Sequence, residues 1–155
     1  MRLYLVQHAK AKREEEDKSR PLSKKGWEDI RRVAKYAEEH LHIQVGQIVH
    51  SGKLRAKQTA EVLAEHLRPE KEVVAAEGLD PMADPSHWKK RLAETMADTM
   101  IVGHLPHLSR LSGLLLCEDE SKGLVAFKMG GIICLEREEG GRWTIQWVIT
   151  PEIIP

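Results

Sequence analysis

Two histidines and an arginine stand where predicted strands give way to turns or helices. His8 follows the apolar run at residues 3–6, and His104 follows the run at residues 99–102 by two positions. Arg55 lies one helical turn after the end of another predicted strand. The carboxyl ends of parallel strands meet at one edge of an open α/β sheet, where such sheets bind ligands. We therefore expect the two imidazoles and the guanidinium to lie close together.

Such a group suits phosphoryl transfer. One imidazole can attack phosphorus, while a second imidazole and a guanidinium neutralise charge on the equatorial oxygens. Arg20 is a further candidate for this pocket, because the following Pro21 restricts its backbone.

Charge and residue patterns argue against two other kinds of function, nucleic-acid binding and metal binding. The 24 Lys and Arg residues equal the 24 Asp and Glu residues, and no basic stripe with interleaved aromatic residues is present, so nucleic-acid binding is disfavoured. The chain has no dense cluster of histidines and carboxylates of the kind that predicts a metal centre. Any anion site must therefore be local.

Length and hydropathy indicate an ordinary globular chain. The 155 residues fit one domain over residues 1–155. No apolar run approaches the ~20 residues of a membrane span, and the N-terminus leads directly into a strand. We expect a cytoplasmic protein without a membrane partner.

Apolar runs alternate with helical patterns along the chain. The predicted strands are the run before His8 and residues 47–50, 72–75, 99–102, 132–136 and 143–149. The predicted helices run from an N-cap at Ser23 to near His40 and over residues 53–67, 86–97 and 105–116. This alternation predicts a parallel sheet with right-handed crossovers. The last two strands, joined by a hairpin at residues 139–141, predict an antiparallel edge.

Four ordered motifs resemble the histidine phosphatase superfamily. They are His8 after the first strand, Arg20-Pro21-Leu22-Ser23 followed by Gly26, Ser51-Gly52-x-Leu54-Arg55-Ala56-x-Gln58-Thr59-Ala60, and Val102-Gly103-His104. The short chain and the Arg-Pro-Leu segment are most similar to the short phosphohistidine phosphatases of SixA type. The similarity spans residues 2 to about 112.

The resemblance implies a phosphoglycerate mutase-like fold, a three-layer α/β/α sandwich with a mostly parallel sheet and an antiparallel edge. It makes His8 the nucleophile that is transiently phosphorylated. Arg55 and His104 would hold the phosphoryl oxygens, and Arg20 would complete the pocket. The implied substrate is a phosphohistidine protein or a small phospho-compound, and neither a metal nor another cofactor is implied.

The chain departs from the family pattern beside the nucleophile. The family has Arg-His-Gly where this chain has Gln7-His8-Ala9, so an amide replaces a charged donor in the phosphate pocket. A charge-assisted hydrogen bond contributes roughly 1.5–3 kcal/mol, which corresponds to about one to two orders of magnitude in rate or affinity. The sequence leaves open an active phosphatase and an impaired pseudophosphatase that binds a phosphorylated ligand or partner.

The remaining reactive side chains receive structural interpretations. Glu77 and Asp80 are candidates for a general acid, but the sequence assigns neither. Cys117 and Cys134 are predicted to be buried, reduced thiols. Trp143 and Trp147, an even number of residues apart, are expected on one face of a strand. The histidines other than His8 and His104 are expected to be partly exposed or hydrogen-bonded: His40, His42, His50, His66, His87 and His107.

Overall fold

Six strands and four helices form the protein in a computed structural model that describes all 155 residues. The strands are β1 (Arg2–Gln7), β2 (Gln47–His50), β3 (Val74–Ala75), β4 (Thr99–Gly103), β5 (Ile132–Arg137) and β6 (Trp143–Ile149). The helices are α1 (Lys24–His40), α2 (Leu54–Leu67), α3 (Pro85–Glu94) and α4 (His107–Cys117).

The strands form one sheet in the order β3-β2-β4-β1-β5-β6. The pairs β3–β2, β2–β4 and β4–β1 are parallel, whereas β5 is antiparallel to both of its neighbours. The predicted mostly parallel sheet with an antiparallel edge is therefore confirmed. The three strands that precede the candidate site residues are neighbours in space.

Helices cover both faces of this sheet. On one face, α1 and α2 pack against a cluster that includes Tyr4 and Val6 of β1. On the other face, α3 and α4 pack against a second cluster that includes Leu3 and Leu5. These four β1 side chains are at most 1% exposed, because alternate residues of a central strand face opposite layers. The predicted three-layer sandwich is confirmed.

The predicted elements are present, with differences at their ends. Ser23 caps α1 as predicted, since its hydroxyl accepts a hydrogen bond from the Gly26 backbone N–H at 3.1 Å. Helix α3 begins at Pro85 because Asp84 caps it, and it stops three residues earlier than predicted, where Thr95 turns extended. Helix α4 begins at His107 rather than at residue 105.

The prediction for the two tryptophans of β6 is wrong. Trp143 packs in the cluster under α3 and α4, whereas Trp147 packs against the opposite cluster. A register shift opposite Cys134 and Leu135 leaves Gln146 as an extra residue. This β-bulge reverses the alternation of side chains along the strand.

The cysteine prediction holds for one residue only. Cys134 is buried, but Cys117 is exposed because it is the last residue of α4 and lies outside the core. Of the four helices, none has the length and apolar character that crossing a membrane requires.

Candidate active site

The carboxyl ends of β1, β4 and β2 bring the predicted residues together. The ring centroids of His8 and His104 lie 5.1 Å apart. The first turn of α2 adds Arg55, whose charge acts on both imidazoles. Parallel pairing of three adjacent strands thus produces the convergence that the sequence predicts.

Hydrogen bonds fix the tautomer of His8. Its backbone N–H donates to the Gly103 carbonyl at 3.1 Å, and its Nδ1 lies 2.7 Å from the Ala9 carbonyl oxygen. Since a carbonyl only accepts, Nδ1 carries the proton and the neutral ring has its lone pair on Nε2. Nε2 of His8 is not fully enclosed and makes no hydrogen bond within the protein. The nitrogen with the lone pair is therefore accessible.

Burial keeps His8 uncharged. The pKa of His8 is lowered to about 4, mainly by burial and also by the charges of Arg55 and Arg20, whereas the hydrogen bond to Ala9 acts in the opposite direction. The nucleophilic form of the imidazole is thus present at neutral pH.

Ala9 fits where the family pattern has glycine. Its side chain is fully buried and its backbone is not left-handed, so no glycine is needed for the local conformation. The Ala9 backbone N–H donates to Thr59 Oγ1 at 3.0 Å, and that hydroxyl donates to the Arg55 carbonyl at 2.8 Å. This chain of bonds ties the turn after β1 to the first turns of α2.

Ser51 belongs to a motif that the sequence identifies, but the sequence assigns it no role in the site. Its Oγ lies 2.6 Å from Nε2 of His104 and also accepts a hydrogen bond from the Lys53 backbone N–H. Nδ1 of His104 is buried without a partner. The pKa of His104 is lowered to about 3, first by burial and then by electrostatic interactions with His8, Arg55, Lys53 and His107. The sequence shows the Ser51-Gly52 pair after β2, but it does not show the contact between Ser51 and His104, which lie 53 positions apart.

Arg20 and Arg55 bring two guanidinium groups to the same pocket. The pKa of Arg55 is lowered by burial and by the charge of Arg20, and its Nε is enclosed without a partner. Arg20 has a left-handed backbone (φ 48°), held by bonds from its N–H to Asp17 O and from its Nε to Lys12 O, both 3.0 Å. Such a conformation costs a non-glycine residue roughly 1–2 kcal/mol. Strain of this kind is concentrated at functional sites.

The pocket is cationic and lacks a counter-charge. No carboxylate contributes to the pKa shifts of His8, Arg55 or His104. The donors instead lower one another's pKa values, because positive charges converge there. An anion in the pocket would remove this repulsion and supply acceptors for the enclosed donors.

The other candidates lie around this pocket. Gln7 ends β1 with a partly exposed side chain that makes no hydrogen bond within the protein, while its carbonyl accepts from the Gly130 N–H at 2.9 Å. Glu77 and Asp80 are exposed and line a cavity of about 300 Å³ together with Ser51. Neither carboxylate is hydrogen-bonded to a histidine. No group of three or more His, Cys, Asp and Glu side chains is arranged to hold a metal ion.

The prediction for His107 is wrong. This residue opens α4 with 0% exposure, and neither of its ring nitrogens has a hydrogen-bond partner. Burial and the charge of Arg110 lower its pKa to about 4. The helix begins two residues later than predicted, and His107 is its first residue.

The sheet and its pocket define an α/β protein in which a neutral histidine at the ends of parallel strands is surrounded by cationic donors. The chain belongs to the histidine phosphatase superfamily (branch 1), whose family model matches residues 3–105. The matched segment contains His8, Arg55 and His104. No curated protein sequence matches the chain significantly.

Solved structures share this fold over nearly the whole chain. The protein histidine phosphatase SixA, complexed with tungstate, is 23% identical with a TM-score of 0.85, and 97% of each chain is covered. The alpha-ribazole phosphatase of Shigella flexneri is 14% identical with a TM-score of 0.79 and the same coverage. A phosphoserine phosphatase of Entamoeba histolytica, complexed with 3-phosphoglyceric acid, is 17% identical with a TM-score of 0.68 and 96% coverage of each chain. Because these sequence identities are low, the similarity to the three structures shows a shared fold only.

Proposed function

We propose that this protein is a phosphatase that works through a phosphohistidine on His8. The observation that carries the proposal is the hydrogen bond from Nδ1 of His8 to the Ala9 carbonyl, which leaves the lone pair on Nε2. The low pKa of His8, about 4, keeps this nitrogen unprotonated in neutral solution. Membership of the histidine phosphatase superfamily supports the same chemistry.

In the first step, Nε2 of His8 attacks phosphorus. The N–P bond forms while the bond between phosphorus and the leaving group breaks, and the leaving group departs with the bonding electrons. Arg55 and Arg20 offset charge on the three equatorial oxygens, and the neutral His104 and Gln7 add hydrogen-bond donors. The Ala9 carbonyl holds the Nδ1 proton and stabilises the ring as it becomes cationic.

In the second step, water attacks phosphorus of phospho-His8. The new O–P bond replaces the N–P bond, inorganic phosphate leaves, and the neutral imidazole is restored. Protonated imidazole is a good leaving group in this step, so no strong acid is required.

The substrate that we propose is a phosphohistidine, carried by a protein or free. Its leaving group is also an imidazole, and protonation of that ring makes a dedicated general acid unnecessary. This suits a site whose two candidate acids, Glu77 and Asp80, are exposed and not hydrogen-bonded to His8 or His104. The SixA protein of similar fold is named a protein histidine phosphatase.

Gln7 favours a second candidate, a pseudophosphatase that binds phosphorylated ligands without efficient turnover. The retained His8, Arg55 and His104 favour the enzyme over this alternative. Both candidates bind phosphate, but only the phosphatase turns its substrate over efficiently.

A comparison of two substrates tests the proposal. Phosphate release from free phosphohistidine and from an alkyl phosphate is measured for the wild type and for His8→Ala. We expect hydrolysis of phosphohistidine only, and none by His8→Ala. Equal rates on both substrates would show that an acid such as Glu77 or Asp80 operates. Binding of phosphate without turnover of either substrate would establish the pseudophosphatase instead.

A further inference from the structure

A basic surface extends from the candidate active site over the beginning of α1. Two clefts form this surface, which we name the basic platform. Their cationic lining residues are Lys10, Lys12, Arg13, Lys24, Lys25, Arg32 and Lys128. We infer that the basic platform docks an acidic polypeptide segment of the phosphorylated substrate protein. This inference rests on the proposed phosphatase function and deepens it, because it makes the substrate a protein with acidic residues near its phosphoryl group.

The two clefts have volumes of about 340 and 360 Å³ and share Lys10 and Lys25. Besides the seven cations, they are lined by only three carboxylates, those of Glu16, Asp29 and Glu152. Glu14 and Glu15, in the same loop as Arg13, line neither cleft. The platform therefore carries a net charge of +4 in a chain whose formal net charge is zero.

Most of this positive charge is not neutralised within the protein. Arg13 pairs with Glu16 at 3.0 Å, and Asp29 pairs with Lys25 at 3.1 Å and Arg32 at 3.5 Å. The other four lysines of the platform make no ion pair and are exposed: Lys10, Lys12, Lys24 and Lys128. An acidic partner would supply the missing carboxylates.

The backbone beneath these lysines is held in place by hydrogen bonds. The Lys10 carbonyl accepts from the Ser23 N–H at 2.9 Å and from Ser23 Oγ at 3.1 Å, and the Lys12 N–H donates to the Pro21 carbonyl at 2.8 Å. Gly26 lets α1 approach this loop, since a Cβ there would overlap the Lys10 carbonyl. The loop after His8 and the start of α1 thus present their charges as one preformed surface.

Lys24 and Lys25 are unfavourably placed for the helix itself. They occupy the first turn of α1, which contains no acidic residue. The N-terminus of a helix carries a partial positive charge, so cations there are destabilising. Lys25 is offset by its ion pair with Asp29 in the same helix, but helix stability does not explain the unpaired Lys24, whereas attraction of an anionic partner does.

The position of the platform favours a polypeptide over a small ligand. Lys10 is two residues from His8, a backbone span of at most ~7 Å, and the clefts then lead away to Lys128 and Pro151. A small phospho-compound held at His8 would leave most of this surface uncovered. No aromatic residue lines either cleft, so the stacking contacts typical of single-stranded nucleic-acid sites are missing.

Synthetic peptides with a single phosphohistidine provide the test. One peptide has glutamates on both sides of the phosphohistidine, a second has lysines, and free phosphohistidine serves as the reference substrate. The double variant Lys24→Glu/Lys128→Glu is compared with the matched control Lys71→Glu/Lys90→Glu, whose two lysines are also exposed and unpaired but lie outside the platform.

We expect the wild type and the control to prefer the glutamate peptide by about 10-fold in kcat/KM at low salt, and to lose this preference in 0.5 M salt, where the Debye length is only a few Å. The platform variant should show no preference, or the opposite one, and should hydrolyse free phosphohistidine at the wild-type rate. A wild type that hydrolyses all three substrates without preference would overturn the docking inference alone. Inactivity on free phosphohistidine would overturn the proposed function. Competition by an oligonucleotide but not by a glutamate-rich peptide would replace the acidic protein with a nucleic acid.

Discussion

The single hydrogen bond between Nδ1 of His8 and the next carbonyl determines how this site works. It selects the tautomer, and burial lowers the pKa of the ring to about 4, so that the same imidazole is both oriented and unprotonated. The sequence predicts His8 as the nucleophile that we propose, but it does not predict the hydrogen bond that sets its tautomer. That bond depends on the backbone conformation of the turn after β1.

Replacing Gln7 by arginine tests the departure from the family pattern at this turn. We expect Gln7→Arg to raise kcat/KM for phosphohistidine by about 10- to 100-fold, because a charged donor replaces a neutral amide beside the phosphoryl group. Steady-state kinetics measure the change, and Gln44→Arg, at an exposed position remote from the site, is the control. A Gln7→Arg rate equal to that of the wild type would mean that residue 7 does not contact the phosphoryl group.

Ser51 has the second decisive contact, the 2.6 Å bond to Nε2 of His104. We expect Ser51→Ala to lower kcat about 3- to 10-fold, because a net 0.5–1.5 kcal/mol of orientation is lost. Ser51→Thr keeps the hydroxyl and should restore most of the rate. A purely structural role would instead appear as an equal loss of stability in both variants, which urea unfolding measures.

At the scale of elements, the loop after β1 and the start of α1 act as one unit. The loop supplies Arg20, and the cap at Ser23 and the close contact at Gly26 hold it against the helix. Motif spacing predicts Ser23 as the N-cap. It does not predict the left-handed backbone of Arg20, because sequence shows only that the following proline restricts this residue.

Gly26→Ala tests this unit. The added Cβ overlaps the Lys10 carbonyl, and we expect the free energy of unfolding to fall by about 1–3 kcal/mol, as for other overpacked sites. Activity should fall as well, since the displaced loop moves Arg20. Gly140→Ala is the control because nothing lies within 4 Å of its Cβ. Equal stability and activity of the two variants would show that the loop and the helix are not coupled.

At the scale of the whole molecule, the alternation of strands and helices, the mostly parallel sheet and its antiparallel edge were the predictable part. Parallel pairing of β1 and β2 with β4, which lies between them in the sheet, places His8, Ser51 and His104 at one edge. Features that depend on one extra residue or on distant packing were not predictable. The bulge at Gln146 places Trp143 and Trp147 on opposite faces of the sheet, and tertiary packing buries His107.

The buried histidines also predict how stability depends on pH. The pKa values of His8 and His107 are lowered to about 4 and that of His104 to about 3, and the pKa of His50 is lowered in the same direction. The unfolded chain, with histidine pKa values near 6.5, binds more protons than the folded chain in this window. The stabilisation is therefore complete above pH 6.5 and decreases as the pH falls toward 4.

Urea unfolding at pH 7.5 and at pH 5 measures this effect. We expect the free energy of unfolding to be lower at pH 5 by several kcal/mol, because each of the three histidines with a pKa of about 4 or lower contributes about 2 kcal/mol. The variant His107→Leu should show a smaller difference, because one proton fewer is involved. A wild-type free energy that is equal at the two pH values would contradict the burial of neutral imidazoles.

The most direct test of the central claim is detection of phosphorus on His8. The wild type is incubated with phosphoramidate as phosphodonor, quenched, and analysed by mass spectrometry of base-stable, acid-labile phosphopeptides. We predict a phosphohistidine at position 8 that is absent from His8→Ala and disappears as inorganic phosphate is released. If the wild type never carries this group while Gln7→Arg does, the protein binds phosphorylated ligands without turning them over, and the phosphatase mechanism is contradicted.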